Sequence, residues 1–270
     1  KYTADDAQYF GTAEKFWWTL HDIPGVQQRL LLWAFKMGFD ELIDDQQKKV
    51  NILIDAHSQI AESAKLKQIL KVVLAVGNYL NAANKNGEAN GIKLEVLAKL
   101  EGTKGADGGY SLLMYIYELV NEKYPDSENI HDDLALLPEA AKQEIEALQE
   151  EIGKIRDEVK QMVENMENLK KLYEAAKAGD DRKEADDGVK DNFVEVMDEF
   201  VRDAQSISTD LENSFNKAIK DLNDLAISFG EKKDITVEEF FKIWIDFLAS
   251  WGKAREAIRK RMAEKKKKEK

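Results

Sequence analysis

The histidines come first in any search for metal or proton chemistry, and His21, His57 and His131 lie in separate stretches, none with a second histidine three or four residues away. A zinc site needs several ligands brought together, usually at that helical spacing. No metal site is expected, and each histidine reads as a partly exposed packing residue. The chain has no cysteine, so disulfides, thiolate ligands and thiol nucleophiles are excluded, which fits a reducing, cytoplasmic setting. The glycine-rich stretch from Gly102 to Gly109, GTKGADGG, carries Lys104 but lacks the GxxxxGK(S/T) order that lets backbone amides cradle a phosphate. The acidic stretch from Gly179 to Asp191 fails as a calcium loop: with Gly188 at the sixth position, Lys183 falls first and Val194 last, and neither ligates calcium. Carboxylates elsewhere fall on solvated helix faces, with nothing to tune an acid apart from a base. No catalytic residue and no cofactor is expected, which leaves binding.

The bulk properties agree. The chain has 270 residues with 43% hydrophobic and 34% charged side chains, enough apolar material for a sizeable core. It carries a net charge of -12, yet from Lys253 onward ten basic side chains face three acidic ones. Such a tail suits a phosphate or an acidic protein surface, or a helix end whose lysines meet only solvent. Nucleic acid is not an expected partner, because an acidic body repels the phosphate backbone that supplies most of that affinity. No apolar run nears the roughly 20 residues of a membrane helix, so no membrane partner is expected either. With Lys1 first and no leader-like start, the sequence reads as a segment of something longer.

Three prolines, few β-branched alternations and long stretches rich in Ala, Leu, Glu and Lys predict an all-α chain. A first helix spans 12–22 and ends at the Ile23-Pro24-Gly25 turn. A second is predicted from about Val26 to Met37, and another from Asp44 to Gln59. The stretch from Leu66 to Tyr79 is so apolar that a helix buried nearly all round is expected. The loop NAANKNGEANG (81–91) precedes a short helix from about Leu94 to Leu100, and an apolar helix follows from Ser111 to Asn121.

After Pro138, Ile145, Leu148, Ile152, Ile155, Val159, Met162, Met166, Leu169 and Tyr173 recur in strictly alternating steps of three and four, a heptad seam. A second seam is read through Phe193, Met197, Phe200, Ala204, Ile207, Leu211, Ala218, Leu222, Leu225 and Phe229. The two predict an antiparallel coiled-coil hairpin forming a rod. Gly230 is placed to cap the second helix. Thr236 and Glu239 have capping-box spacing after Asp234, ahead of a last helix with the stripe Phe240, Ile243, Trp244, Phe247 and Trp251. On these grounds alone, the chain is a structural coiled-coil module that binds another protein.

Two longer stretches sharpen that reading. LKQILKVVLAVGNYLN (Leu66 to Asn81) and GIKLEVLAKLEGTKGADGGYSLLMYIYELVNEKYPD (Gly91 to Asp126) resemble the formin homology 2 domain: a helix ending in GNxxN, then an F-K-L-like segment, a D-T-K-like loop and an LLHYL-like helix. AEKFWWTLHDIPGVQQRLLLWAFKMGF (Ala13 to Phe39), DNFVEVMDEFVRDA (Asp191 to Ala204) and SFGEKKDITVEEFF extend the likeness to Diaphanous- and DAAM-type formins over nearly the whole chain. Two positions depart from the pattern: Gly102 stands where aspartate is usual, and Ile92 where phenylalanine is common.

The resemblance implies a single elongated core over 1–270: a truncated knob and the start of the rod (1–60), a helical post (61–137), the coiled-coil hairpin (138–230) and a C-terminal helix with the basic tail (231–270). It implies actin as the partner, with two such domains encircling the filament barbed end, nucleating filaments and remaining bound during elongation in the cytoskeleton. Gly77, Asn78, Tyr79, Leu80 and Asn81 fall on the post surface that accepts the lasso of a second protomer. A glycine there lets another backbone approach, and asparagines can hydrogen-bond it. Lys104 falls on the lysine of the actin-contacting loop, with Lys93 and Lys99 able to assist toward acidic actin. The chain is expected to begin downstream of the lasso, and therefore to be monomeric and weakly active alone. A redesigned formin-shaped scaffold without actin activity is the remaining alternative.

Overall fold

The computed structural model describes residues 9–20, 23–83, 88–105, 108–179, 191–233 and 235–268. His21, Asp234 and nearly all of the acidic stretch read against a calcium loop lie outside them. The described chain is all-α: α1 (Thr12–Leu20), α2 (Val26–Glu62), α3 (Ala64–Leu80), α4 (Glu95–Gly102), α5 (Leu112–Lys123), α6 (Ile130–Asp133), α7 (Leu137–Ala140), α8 (Ile145–Gly179), α9 (Phe193–Ser228) and α10 (Val237–Lys268), with a 3-10 turn over Pro125–Asn129. Extended pairing among the described residues amounts to an isolated antiparallel bridge, Lys104 with Ser111.

The chain forms two compact units, one of residues 1–47 and 149–213, the other of 48–148 and 214–270. In the first, α8 and α9 run antiparallel. Arg156 pairs with Glu212, and Lys170, fourteen residues further along α8, pairs with Asp198, fourteen residues back along α9. Leu32 of α2 packs into their seam with Met162, Met166, Leu169, Met197 and Val201. Gly25, at φ +65°, makes the turn into α2, and a Cβ there would lie 2.5 Å from Leu169 Cδ1. Arg29 fixes the same corner, donating to the Pro24 carbonyl at 3.0 Å and making a bidentate pair with Asp191. These observations support the predicted hairpin and the first turn.

Three local expectations are corrected. The predicted second and third helices are one helix, α2. Gly38 costs only about 1 kcal/mol in a helix, and the buried stripe Leu32, Phe39, Ile43, Gln46, Val50, Leu53, Ala56, Ile60 runs through it without losing phase. The α9 seam is shifted: the buried positions are Met197, Val201, Ala204, Ser208, Leu211, Phe215, Ala218, Leu222 and Ala226. Ile207 is exposed, because the three-and-four stepping places the polar Ser208 in the seam instead. Finally, α3 is buried on one face only, through Leu66, Ile69, Val73 and Val76, not all round.

The second unit is built around α5 and α10. Tyr117 and Trp251 meet edge to face with ring centroids 5.3 Å apart, and Trp244 meets Phe229 at 5.1 Å. Both predicted caps are present. Gly230, at φ +81°, closes α9 with amide bonds from Gly230 to Ile227 and from Glu231 to Ala226, the Schellman pattern. Thr236 and Glu239 exchange side-chain-to-amide bonds of 3.1 Å in each direction. In the aromatic stripe, Phe241 and Leu248 join the predicted residues, while Ile243 is half-buried.

Candidate functional site

The site grows from the way α3 is anchored. Ser63 caps its start, accepting the Leu66 amide at 3.0 Å and donating to Asp133 at 2.9 Å, while Lys65 pairs with the other Asp133 oxygen at 2.6 Å. Gln68 accepts from Ser127 at 2.7 Å. One end and one face of α3 are therefore held by the segment after α5. The opposite face and the C-terminal turn carry Tyr79, 82% exposed, and Leu80, 59% exposed. Burying either would remove apolar surface from water at about 25 cal/mol per Å², yet this chain leaves both open.

Opposite that face stand two described segments, Thr103–Gly105 and Tyr110–Leu112, that pair with each other. Gly105 donates to Tyr110 at 2.9 Å and Leu112 to Thr103 at 2.7 Å, flanking the Lys104–Ser111 bridge, and Ser111 caps α5 by accepting the Met114 amide. Gly108, at φ +69°, supplies a conformation that side chains resist. Lys104 is thus carried on a segment paired with the start of α5. Between loop, α3 and α5 lies a groove of about 760 Å³. Its floor is apolar, with Val72, Val76, Leu112 and Leu119; Tyr79, Tyr110, Tyr115 and Tyr124 line it, as do Lys71, Lys104 and Lys123.

Two hydrogen-bonded tyrosines tie the groove wall to α10. Tyr110 donates to Glu118, and the Arg261 guanidinium lies 4.9 Å from the centre of the Tyr110 ring. Tyr117 donates to Glu128 at 2.9 Å, and Arg259 donates to the same oxygen at 2.6 Å. Burial, and then the hydrogen bond to a carboxylate, hold both phenols well above the usual tyrosine range. Glu101 is pushed below the ordinary carboxylate range by a 2.6 Å bond from Ser250 and by Lys253, which links α4 to α10.

The structure brings Lys104, Tyr79 and Leu80 together on this groove. Lys93 and Lys99 do not line it: Lys99 faces Glu95 one turn back at 3.6 Å, and Lys93 passes near Gly230. Gly77 has open space where a side chain would stand, so another backbone can approach there. Asn78, expected to bond an incoming chain, is bonded within the chain: its amide donates to the Ala89 carbonyl at 2.9 Å and accepts the Ala89 N–H at 3.1 Å, tying Ala89 to the helix. Asn81 is exposed and ends the helix with its own N–H bonded to the Gly77 carbonyl. Sequence reasoning missed Lys71, Lys123, Tyr110, Tyr115 and Tyr124, because residues this far apart along the chain meet only after α3 and α5 have packed. Among the histidines, His57 is half-buried and His131 donates from Nε2 to the Leu248 carbonyl at 3.0 Å. No group of side chains suited to a metal occurs among the described residues.

Comparison with known proteins covers much of the chain. It is 37% identical over 137 residues to Disheveled-associated activator of morphogenesis 1-A of Xenopus laevis. It is 34% identical over 135 residues to Protein diaphanous homolog 3 of Homo sapiens, and 34% identical over 143 residues to Formin-like protein 6 of Oryza sativa subsp. japonica. Each alignment covers 50% to 53% of this chain but only 10% to 13% of the relative, so the chain corresponds to a small part of those proteins. The family described as Formin Homology 2 Domain matches residues 1–252. On that match, together with the all-α architecture, the chain belongs to the formin homology 2 domain family.

Proposed function

We propose that this chain is an actin-binding core, acting at the barbed end of a filament in the cytoskeleton and contributing there to nucleation and elongation when two such domains pair. Lys104 supplies the cation that meets acidic actin, and the open surface over Gly77, Tyr79 and Leu80 accepts a segment of the second protomer. The observation that carries this reading is that Tyr79 and Leu80, the two inner residues of the GNxxN stretch, and Lys104 of the lysine loop border one uncovered groove. Asn78 contributes by holding the neighbouring loop in place rather than by touching the partner. Lys93 and Lys99, away from the groove, assist actin binding only through their charge. The reading is of a binding module, not an enzyme.

Seeded pyrene-actin elongation tests it. The wild-type chain changes the barbed-end growth rate, and Lys104→Asp weakens that effect by about tenfold, because reversing a charge at an interface costs of the order of 1 to 2 kcal/mol. A chain without effect at any concentration, or an effect untouched by Lys104→Asp, would favour the coiled-coil scaffold.

A further inference from the structure

Two asparagines of the chain are followed by glycine, Asn86 and Asn90, and of these Asn90 lies among the described residues. Asparagine is a labile side chain, because the backbone nitrogen of the next residue can attack its amide carbon. Any side chain larger than the hydrogen of glycine crowds that approach. At Asn90 the usual obstacles are missing. Asn90 and Gly91 are both exposed and lie outside helices, in a bend between α3 and α4. A Cβ on Gly91 would meet nothing within 4 Å, and φ at Gly91 is not positive. Among the described residues, neither the Asn90 side chain nor the Gly91 N–H has a hydrogen-bond partner that would hold it back from the other. The segment nevertheless runs between two fixed points, Ala89, whose N–H and carbonyl are both bonded by Asn78, and the fully buried Leu94. Asn78 itself is the contrast: it sits in α3 with its amide engaged at both ends and tyrosine as the next residue.

We infer that Asn90-Gly91 is a self-modification site, at which the folded chain deamidates through a cyclic imide. The Gly91 nitrogen gives up its proton and bonds to Asn90 Cγ, the bond from Cγ to Nδ2 breaks, and the side-chain nitrogen leaves as ammonia. Water then adds to one of the two imide carbonyls and opens the ring to aspartate or to isoaspartate. Water enters and ammonia departs, with no oxidant, reductant or enzyme. Either product puts a new carboxylate three residues before Lys93. The isoaspartyl product also lengthens the main chain by a carbon between the fixed points at Ala89 and Leu94. The site is independent of the actin reading, since neither Asn90 nor Gly91 lines the groove.

The test incubates the whole chain in mildly alkaline buffer at physiological temperature and follows each asparagine by peptide fragmentation in a mass spectrometer, which separates Asn90 from Asn86. Asn90 is expected to gain the mass of an amide-to-acid exchange, as both aspartate and isoaspartate. Its rate should lie within about threefold of that in the urea-unfolded chain, because no structure has to open first. Asn78 is expected to convert at least about tenfold more slowly than Asn90 in the folded chain, its two hydrogen bonds having to break before it can react. Gly91→Ala, whose Cβ has open space, is expected to slow Asn90 by at least about tenfold by obstructing the attack. Mildly acidic buffer slows it as well, because the attacking nitrogen must lose its proton. Conversion of Asn90 only after unfolding would overturn the inference, as would a rate unchanged by Gly91→Ala or by pH. A product that is aspartate alone would indicate direct hydrolysis by water and overturn it too.

Discussion

Ser208 shows how little a helical seam needs each of its members. Its hydroxyl is buried in the α8–α9 packing and has no hydrogen-bond partner. An unpaired buried hydroxyl costs about 1 to 3 kcal/mol, and Ala has the better helix propensity. Ser208→Ala is therefore expected to raise stability by about 1 kcal/mol in urea unfolding, and a loss would mean that the hydroxyl is satisfied. Tyr117 makes the opposite case, its hydroxyl donating to the Glu128 oxygen that also accepts from Arg259. A phenol whose pKa is raised on folding contributes stability that is complete below the unfolded value, about 10, and is lost as pH climbs above it. Tyr117→Phe should cost about 1 kcal/mol at neutral pH and flatten the alkaline decline in thermal stability above pH 10; an unchanged alkaline limb would remove Tyr117 from that account.

At the level of elements, what could be read in advance followed from periodicity and caps. The α8 heptads, the Gly230 cap and the Thr236–Glu239 box depend on neighbours along the chain, and all three stand where the spacing put them. The α9 seam drifted because hydropathy chose Ile207 where geometry chose Ser208 and Phe215. The burial of α3 was overestimated because apolar composition says how much a helix can bury, whereas its neighbours decide how much it does. For the same reason the lysine loop and GNxxN were legible, and their shared groove was not: Lys71 and Lys123 carry no local signal and acquire their position only through the α3–α5 packing. Asn78 exemplifies this, its side-chain amide already bonded to Ala89 in the folded chain. In Asn78→Ala both bonds are lost, and amide exchange at Ala89 and its neighbours should accelerate at least about tenfold while that of the buried α3 amides stays unchanged. Equal acceleration across α3 would show that the clamp supports the helix itself.

For the whole molecule, the account rests on membership of the formin homology 2 family and on a groove that this chain leaves uncovered. Fold alone does not carry function, so the decisive evidence must come from a filament. Labelled chain watched on single growing actin filaments measures occupancy of each end directly. The account predicts dwell at the barbed end and not at the pointed end or along the sides, with Lys104→Asp shortening the dwell time about tenfold. Uniform decoration, no decoration, or barbed-end dwell identical in Lys104→Asp would contradict it.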